Sequence, residues 1–201
     1  MGIIRQPQPV LLLIAAFSPN MNVLNHGKLL ATDTFGPLFA ESELFRFDEF
    51  TNYYDEEMGP VLYKQLWCFE SPILPDALAK IKVQTNGWEE EFAEAFSKSV
   101  NSRRPLNLDP GYIDPGKLIL ASTKDHAHRI YLSRGIFAET TLMYTQKHWQ
   151  ALPWSYPDYQ SPGYQAFLSQ CREHIKKLRT EATRVAEQAK KPVNDGGKTE
   201  N

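Results

Sequence analysis

Val10-Leu11-Leu12-Leu13-Ile14-Ala15-Ala16-Phe17 is an unbroken apolar run of eight residues, halted by Ser18-Pro19-Asn20. A half-buried strand would alternate apolar and polar residues, and this run does not. A short continuous run ended by turn residues predicts a strand buried on both faces. Arg5 stands before the run, giving the superficial look of a secretion signal. The run is short for that purpose, and no small-x-small cleavage site follows it. No run approaches the ~20 residues that span a bilayer. Gln6 stands where myristoylation would need Ser or Thr. The expected compartment is therefore the cytoplasm, with no membrane partner.

The chain continues from this strand with alternating element signals. Ser18 is the expected cap of a helix over roughly 20–34, closed by Gly36-Pro37 and carrying Leu24, Leu29 and Leu30. Leu38 to Asp48 reads as a strand, and so does Val61 to Phe69 between Pro60 and Pro72. Pro75 opens a helix whose Leu78, Ile81, Thr85, Trp88, Phe92 and Phe96 recur every three or four residues on one stripe. Glu89, Glu90, Glu91 and Glu94 fall mostly off the stripe and read as a solvated face. Asp109-Pro110-Gly111 and Asp114-Pro115-Gly116 read as two turns. Lys117 to Thr123 is a short strand. Arg129 to Ser133 and Ile136 to Tyr144 form a hairpin about Arg134-Gly135. Pro153 to Pro162 is a loop rich in Pro, Tyr and Trp. Ser161-Pro162 then starts a last helix with Tyr164, Phe167, Leu168, Cys171, Ile175 and Leu178 on one face.

The order β-α-β-β-α-β, then hairpin, then helix predicts one α+β domain over residues 7–178. Its start is ferredoxin-like (βαββαβ). Residues 179–190 extend the last helix, and 191–201 form a polar disordered tail.

Composition sets outer limits. The chain has 201 residues, 42% of them hydrophobic, with eleven Phe, nine Tyr and four Trp. That supply fills a core and excludes wholesale disorder and collagen-like or coiled-coil architectures. Cys68 and Cys171 are too few for a disulfide framework or a metal motif, and read as reduced packing residues. A net charge of −2 argues against a chain that works by bulk attraction to nucleic acid. The charge is nevertheless uneven. Residues 41–60 hold seven acids against one base, and residues 98–134 hold seven bases against three acids. The basic stretch either neutralises the acidic one across the fold or collects an anion.

The densest polar constellation runs from Asn107 to Glu139. Glu139 is a lone acid in an apolar strand, and such a group needs a partner if buried. With a three-residue hairpin loop Arg129 opposes Glu139; with a two-residue loop His128 becomes its diagonal neighbour. The functional reading assigns His128, Glu139 and Asp109 to proton exchange, and Lys117, Lys124 and Arg129 to an anion. The structural alternative is a cross-strand ion pair. His126 and His128 are weak metal candidates; no metal is expected from them, and the cofactor is left unknown. Thr123-Lys124-Asp125 lacks the spacer of a guanine-reading motif. Neither G-x-x-x-x-G-K-[ST] nor G-x-G-x-x-G occurs, so a P-loop mechanism is excluded. Two aromatic loops complete the candidates: Tyr53, Tyr54 and Glu57 in Phe50–Pro60, and Trp154 and Tyr156 in Leu152–Tyr159. Each is a ligand-binding wall or a structural loop.

Several segments together resemble a prokaryotic family, domain of unknown function 4416. They are Phe50-x-x-Tyr53-Tyr54-x-x-Glu57-Met58-Gly59, Asn107 to Tyr112, Lys117 to Asp125, His128 to Leu132, Gly135 to Glu139 and Leu152 to Tyr159. The resemblance covers roughly residues 7–178. One departure is Leu11, where the family pattern has Lys. Some members carry a loose GTP-binding label, which the missing P-loop leaves without physical support here. The resemblance implies no activity. The residues point to a small-molecule-binding protein for an anionic or nucleotide-like ligand, with enzymatic use of the site left open. The alternative is a non-catalytic interaction module using the aromatic loops and the last helix.

Overall fold

The computed structural model describes residues 2–189. The tail expected over 191–201 lies outside the described residues. The chain is α+β, with one antiparallel sheet. In chain order its elements are β1 (Val10–Ser18), α1 (Met21–Phe35), β2 (Leu38–Glu41), β3 (Phe45–Arg46), α2 (Asp55–Met58), β4 (Tyr63–Ile73), α3 (Leu78–Val100), β5 (Asn107–Asp114), β6 (Lys117–Ser122), β7 (Ile130–Ser133), β8 (Ile136–Thr145), β9 (His148–Ala151) and α4 (Pro162–Ala189). The sheet order is β2-β4-β1-β5-β6-β8-β7, with β3 beside β4 and β9 beside β8. Among the described residues no helix is long and apolar enough to cross a membrane.

β1 is central and buried along its whole length. Its side chains alternate between two separate cores, because successive residues of a strand point to opposite faces. Leu12, Ile14 and Ala16 pack with Val23 and Leu24 of α1 and Ile81, Trp88 and Phe92 of α3. Leu11, Leu13 and Ala15 pack with Tyr164, Phe167, Leu168, Cys171 and Ile175 of α4. Helices on both sides explain why the run is apolar at every position. Full burial of each large side chain contributes about 1.5–3 kcal/mol, so the run supplies much of the driving force on both faces.

Several local expectations change. The cap of α1 is Asn20: its Oδ1 accepts from the Asn22 and Val23 N–H groups at 2.9 and 3.3 Å. Ser18 still belongs to β1, and its hydroxyl donates to the Pro105 carbonyl at 2.6 Å. The strand expected over Leu38 to Asp48 is broken into β2, β3 and a 3-10 turn over Phe47–Glu49. β9 was not foreseen.

The largest correction concerns Asp109-Pro110-Gly111, which is strand and not turn. It lies inside β5, where Asp109, Pro110 and Gly111 oppose Ala15, Ile14 and Leu13 of β1. A Cβ at Gly111 would sit 2.1 Å from the Ile119 carbonyl oxygen, so glycine is required by the close approach of β6. The β5–β6 ladder runs from Asp114↔Lys117 to Gly111↔Leu120 and stops there. Pro110, the next residue, has no N–H to continue it. Asp114-Pro115-Gly116 is the tight connection that starts this ladder, with the Asp114 carboxylate accepting from Gly116 N–H at 3.0 Å.

Candidate functional site

Beyond Gly111 and Leu120 the two strands part. Asn107 and Asp109 stay with β1, while Ala121 and Ser122 stay paired to β8. The space between them is a cleft of about 970 Å³. α3 forms one wall with Lys82, Asn86, Glu89, Glu90 and Ala93. Glu139 and Arg129 form the opposite wall, and Tyr53, Tyr54, Glu57, Tyr156 and Lys124 surround the mouth.

The floor is an ion network between α3 and β5. Lys82 Nζ donates to the Leu108 carbonyl at 2.7 Å and to Asp109 at 3.2 Å. Glu89 accepts from Leu108 N–H at 2.8 Å and from Arg104 Nη2 at 2.8 Å. Asn107 donates to the second Asp109 oxygen at 2.9 Å. Burial pushes the Asp109 carboxyl up, but the Lys82 and Arg104 charges and these hydrogen bonds outweigh it, leaving it below the usual carboxylate range. Its contribution to stability is thus present at neutral pH and is lost as pH falls through that lowered value. Glu89 was expected on a solvated face and is buried. Lys82, Asn86, Glu89 and Ala93 are spaced four, three and four apart, a second stripe beside the apolar one. That spacing was the available signal.

On the opposite wall Glu139 is 7% exposed and holds both expected partners. Arg129 Nε donates to its carboxylate at 2.7 Å, and His128 Nε2 lies 3.0 Å from the same oxygen. A two-residue turn, Arg134-Gly135, joins β7 to β8, and a shift in register between Tyr131 and Ser133 brings Ile130 opposite Ala138. Arg129 also donates to Ser122 Oγ at 2.7 Å and the Lys124 carbonyl at 3.0 Å, which fixes the loop after β6. The His128 ring lies between His126 at 5.8 Å and Trp154 at 4.7 Å, nearly parallel to both. Trp154 is itself held by its indole N–H on the Thr140 carbonyl at 2.9 Å. It packs behind His128 and does not line the cleft. Among the described residues no group of three or more His, Cys, Asp or Glu side chains is disposed to hold a metal. Glu139→Gln should destabilise by about 1–3 kcal/mol, because it leaves a nearly buried guanidinium without its counter-charge. A urea midpoint equal to that of the unchanged protein would show that the pair adds no stability.

At the mouth, Lys124 Nζ donates to Tyr53 Oη at 3.0 Å and sits 5.1 Å from the centre of that ring. This contact bridges the segment before α2 to the loop after β6. Burial, and then the Asp109 charge, push the Tyr54 hydroxyl well above the usual tyrosine range. Burial acts in the same direction on Tyr112, Tyr159 and Tyr164. A raised tyrosine pKa stabilises the fold below the unfolded value of about 10, and that contribution is lost as pH rises above it. In an alkaline titration followed by tyrosinate absorbance, Tyr54, Tyr159 and Tyr164, the buried three of the nine tyrosines, should ionise only as the chain unfolds. Smooth ionisation of all nine with the fold intact would contradict their burial.

Lys117 does not belong to the site. It is exposed at the turn end of β6, opposite Asp114, five residues from Ser122. At about 3.4 Å per residue that is roughly 17 Å along the strand. The aromatic loop holds a further pair that the sequence did not reveal. Asp158 is buried, and its carboxylate accepts from Lys64 Nζ of β4 at 2.6 Å. The ammonium lies among the rings of Phe47 and Tyr159, 4.2 and 4.8 Å from their centres. This pair pins the loop that carries Tyr156 to the sheet.

No curated protein and no solved structure matches the chain. The profile of one family, described as Domain of unknown function (DUF4416), matches residues 8–174. That span includes both walls of the cleft, its floor and both aromatic segments at its mouth, and the chain belongs to this family of unknown function.

Proposed function

We propose that the chain is a small-molecule-binding protein whose ligand carries an anionic group and occupies the cleft between β5 and β6. The observation that carries this reading is the convergence of Asp109, Glu139, Lys124, Arg129, Tyr53, Tyr54, Glu57 and Tyr156 on one cavity from distant parts of the chain. A cavity of this size suits a ligand of metabolite to nucleotide dimensions. Lys124 serves the anion, Arg129 holds Glu139 and the loop that carries Lys124, the tyrosines cover a ring, and Asp109 and Glu57 accept from hydroxyl or amino groups. Proton exchange, if the site is enzymatic, falls to Asp109 and Glu139, which line the cleft; His128 acts behind Glu139 as its positioning partner.

The architecture supports a ferredoxin-like start within one domain over 7–178. The four strands β2-β4-β1-β5 are antiparallel neighbours, and α1 and α3 share one face. We place the protein in the cytoplasm on the sequence reading alone. The test is a thermal-shift panel of nucleotides, sugar phosphates and carboxylic acids against the protein and its Lys124→Ala variant. Stabilisation by one ligand class that the variant loses supports the reading, and a flat response across the panel overturns it.

A second reading, an interaction module, draws on β7. Ile130, Tyr131 and Leu132 are 73%, 57% and 41% exposed on the last strand of the sheet, without the lysines or prolines that usually guard an edge. Antiparallel pairing of β7 with β7 of a second copy about Tyr131 would set Ile130 against Leu132 and oppose no like charges. Sedimentation should then show a dimer that Tyr131→Lys converts to monomer; a monomer at all concentrations removes this reading.

A further inference from the structure

We propose that the anionic group of the cleft's ligand is a single phosphate, borne on a ring with hydroxyl or amino donors, and that polyphosphates are disfavoured. This inference rests on the cleft being the ligand site. Five cations face five carboxylates, so the lining as a whole attracts no large negative charge. Most of these charges are already spent on one another. Lys82 and Arg104 are each within ion-pair distance of Glu89, and Arg129 is paired with Glu139.

Two cations remain. Among the described residues neither Arg103 nor Lys124 has a carboxylate within ion-pair distance, and both reach solvent at the cleft. Lys124 is held in place by Tyr53 Oη, which leaves its charge uncompensated. Two cations match one phosphate, which carries about −1.5 to −2 at neutral pH. A triphosphate would bring more negative charge than they offset and would set the remainder against Glu57, Glu90 and Asp109. Those same carboxylates instead fit a ligand that offers hydrogen-bond donors: Glu90 has no cation partner among the described residues, and the Asp109 side chain is 34% exposed. Burying a donor against a carboxylate makes a charge-assisted hydrogen bond, whereas burying a second anion there leaves like charges together.

Isothermal titration of the full chain with a sugar monophosphate, a nucleoside monophosphate, the matching triphosphate and inorganic phosphate tests the proposal. At least one monophosphate should bind about tenfold or more tighter than both the triphosphate and inorganic phosphate, a difference of about 1.4 kcal/mol. Which monophosphate binds tells a sugar from a nucleobase as the source of the ring. Lys124→Ala and Arg103→Ala should each weaken that binding about tenfold. Both side chains are exposed, and unchanged melting temperatures will show that the variants fold. Tighter binding of the triphosphate that Lys124→Ala still weakens overturns the single-anion proposal and leaves the cleft as the ligand site, whereas binding indifferent to both substitutions overturns both readings. Absence of binding by every compound, together with a flat thermal-shift panel, overturns both.

Discussion

Asp158→Ala should destabilise the protein by about 3–5 kcal/mol, the cost of leaving a buried charge without its partner. The Lys64 and Asp158 side chains are 4% and 1% exposed, and their charged atoms are 2.6 Å apart. Without the carboxylate, the Lys64 ammonium would remain among Phe17, Phe47, Tyr159 and Tyr164 with only ring faces to stabilise it. Those contacts contribute far less than the water the ion gave up. The other Asp158 oxygen is buried with no partner among the described residues, so the pair is not fully satisfied even when intact. For that reason the double variant Lys64→Met with Asp158→Leu should recover most of the loss: apolar side chains of similar size suit an aromatic surround. Urea denaturation with an unchanged slope measures both effects. A single variant costing under about 1 kcal/mol would mean that water reaches the pair.

Glu89→Ala should cost about 3 kcal/mol, next in size, for a related reason. One carboxylate accepts from Leu108 N–H and Arg104 and stands 3.7 Å from Lys82, tying α3 to β5 at the cleft floor. Its removal orphans a buried backbone donor and takes one of two carboxylates from the buried Lys82 ammonium, which keeps Asp109 at 3.2 Å. Arg104 softens the loss, because its side chain is 32% exposed and can turn to water. Glu89→Gln keeps acceptors and removes the charge, so it should cost less, about 1–2 kcal/mol. Pairing Glu89→Ala with Lys82→Met should give less than the sum of the two single losses, as expected of contacting residues. Additive losses would show that the two side chains act independently. A loss near zero for Glu89→Ala would put it back on the solvated face that its helical position first implied.

That face illustrates why the site was only partly legible. Glu89 lies one position from Trp88, outside the apolar stripe, and periodicity assigns every such residue to water. Its burial depends on β5 passing beside α3: the stripe it shares with Lys82, Asn86 and Ala93 marks a helix face but not what covers that face. Lys82 and Arg104 escaped notice for the same reason. Glu139 was legible because it interrupts an apolar strand and its hairpin partners lie ten and eleven residues away, where register arithmetic applies. Lys117 was misplaced because a strand of six residues has two ends, and composition does not say which end faces a cleft. The Lys64–Asp158 contact joins residues 94 apart, with nothing in either neighbourhood to mark it.

Asp109-Pro110-Gly111 divides what the amino-acid order determined from what only the assembled molecule decided. Locally the tripeptide is turn chemistry, and the sequence supports no other reading. In the fold, β1 supplies a ladder along one side of it, strong enough to hold the segment extended. The propensities then act differently: Gly111 admits the Ile119 carbonyl, and Pro110 stands where the ladder to β6 ends. The eight apolar residues of β1, the α3 and α4 stripes and the hairpin about Arg134-Gly135 follow from local pattern, because burial and turn geometry act over a few residues. The parting of β5 and β6, and with it the cleft, arises only when three strands meet, because a missing hydrogen bond has a consequence only where a partner strand would have received it.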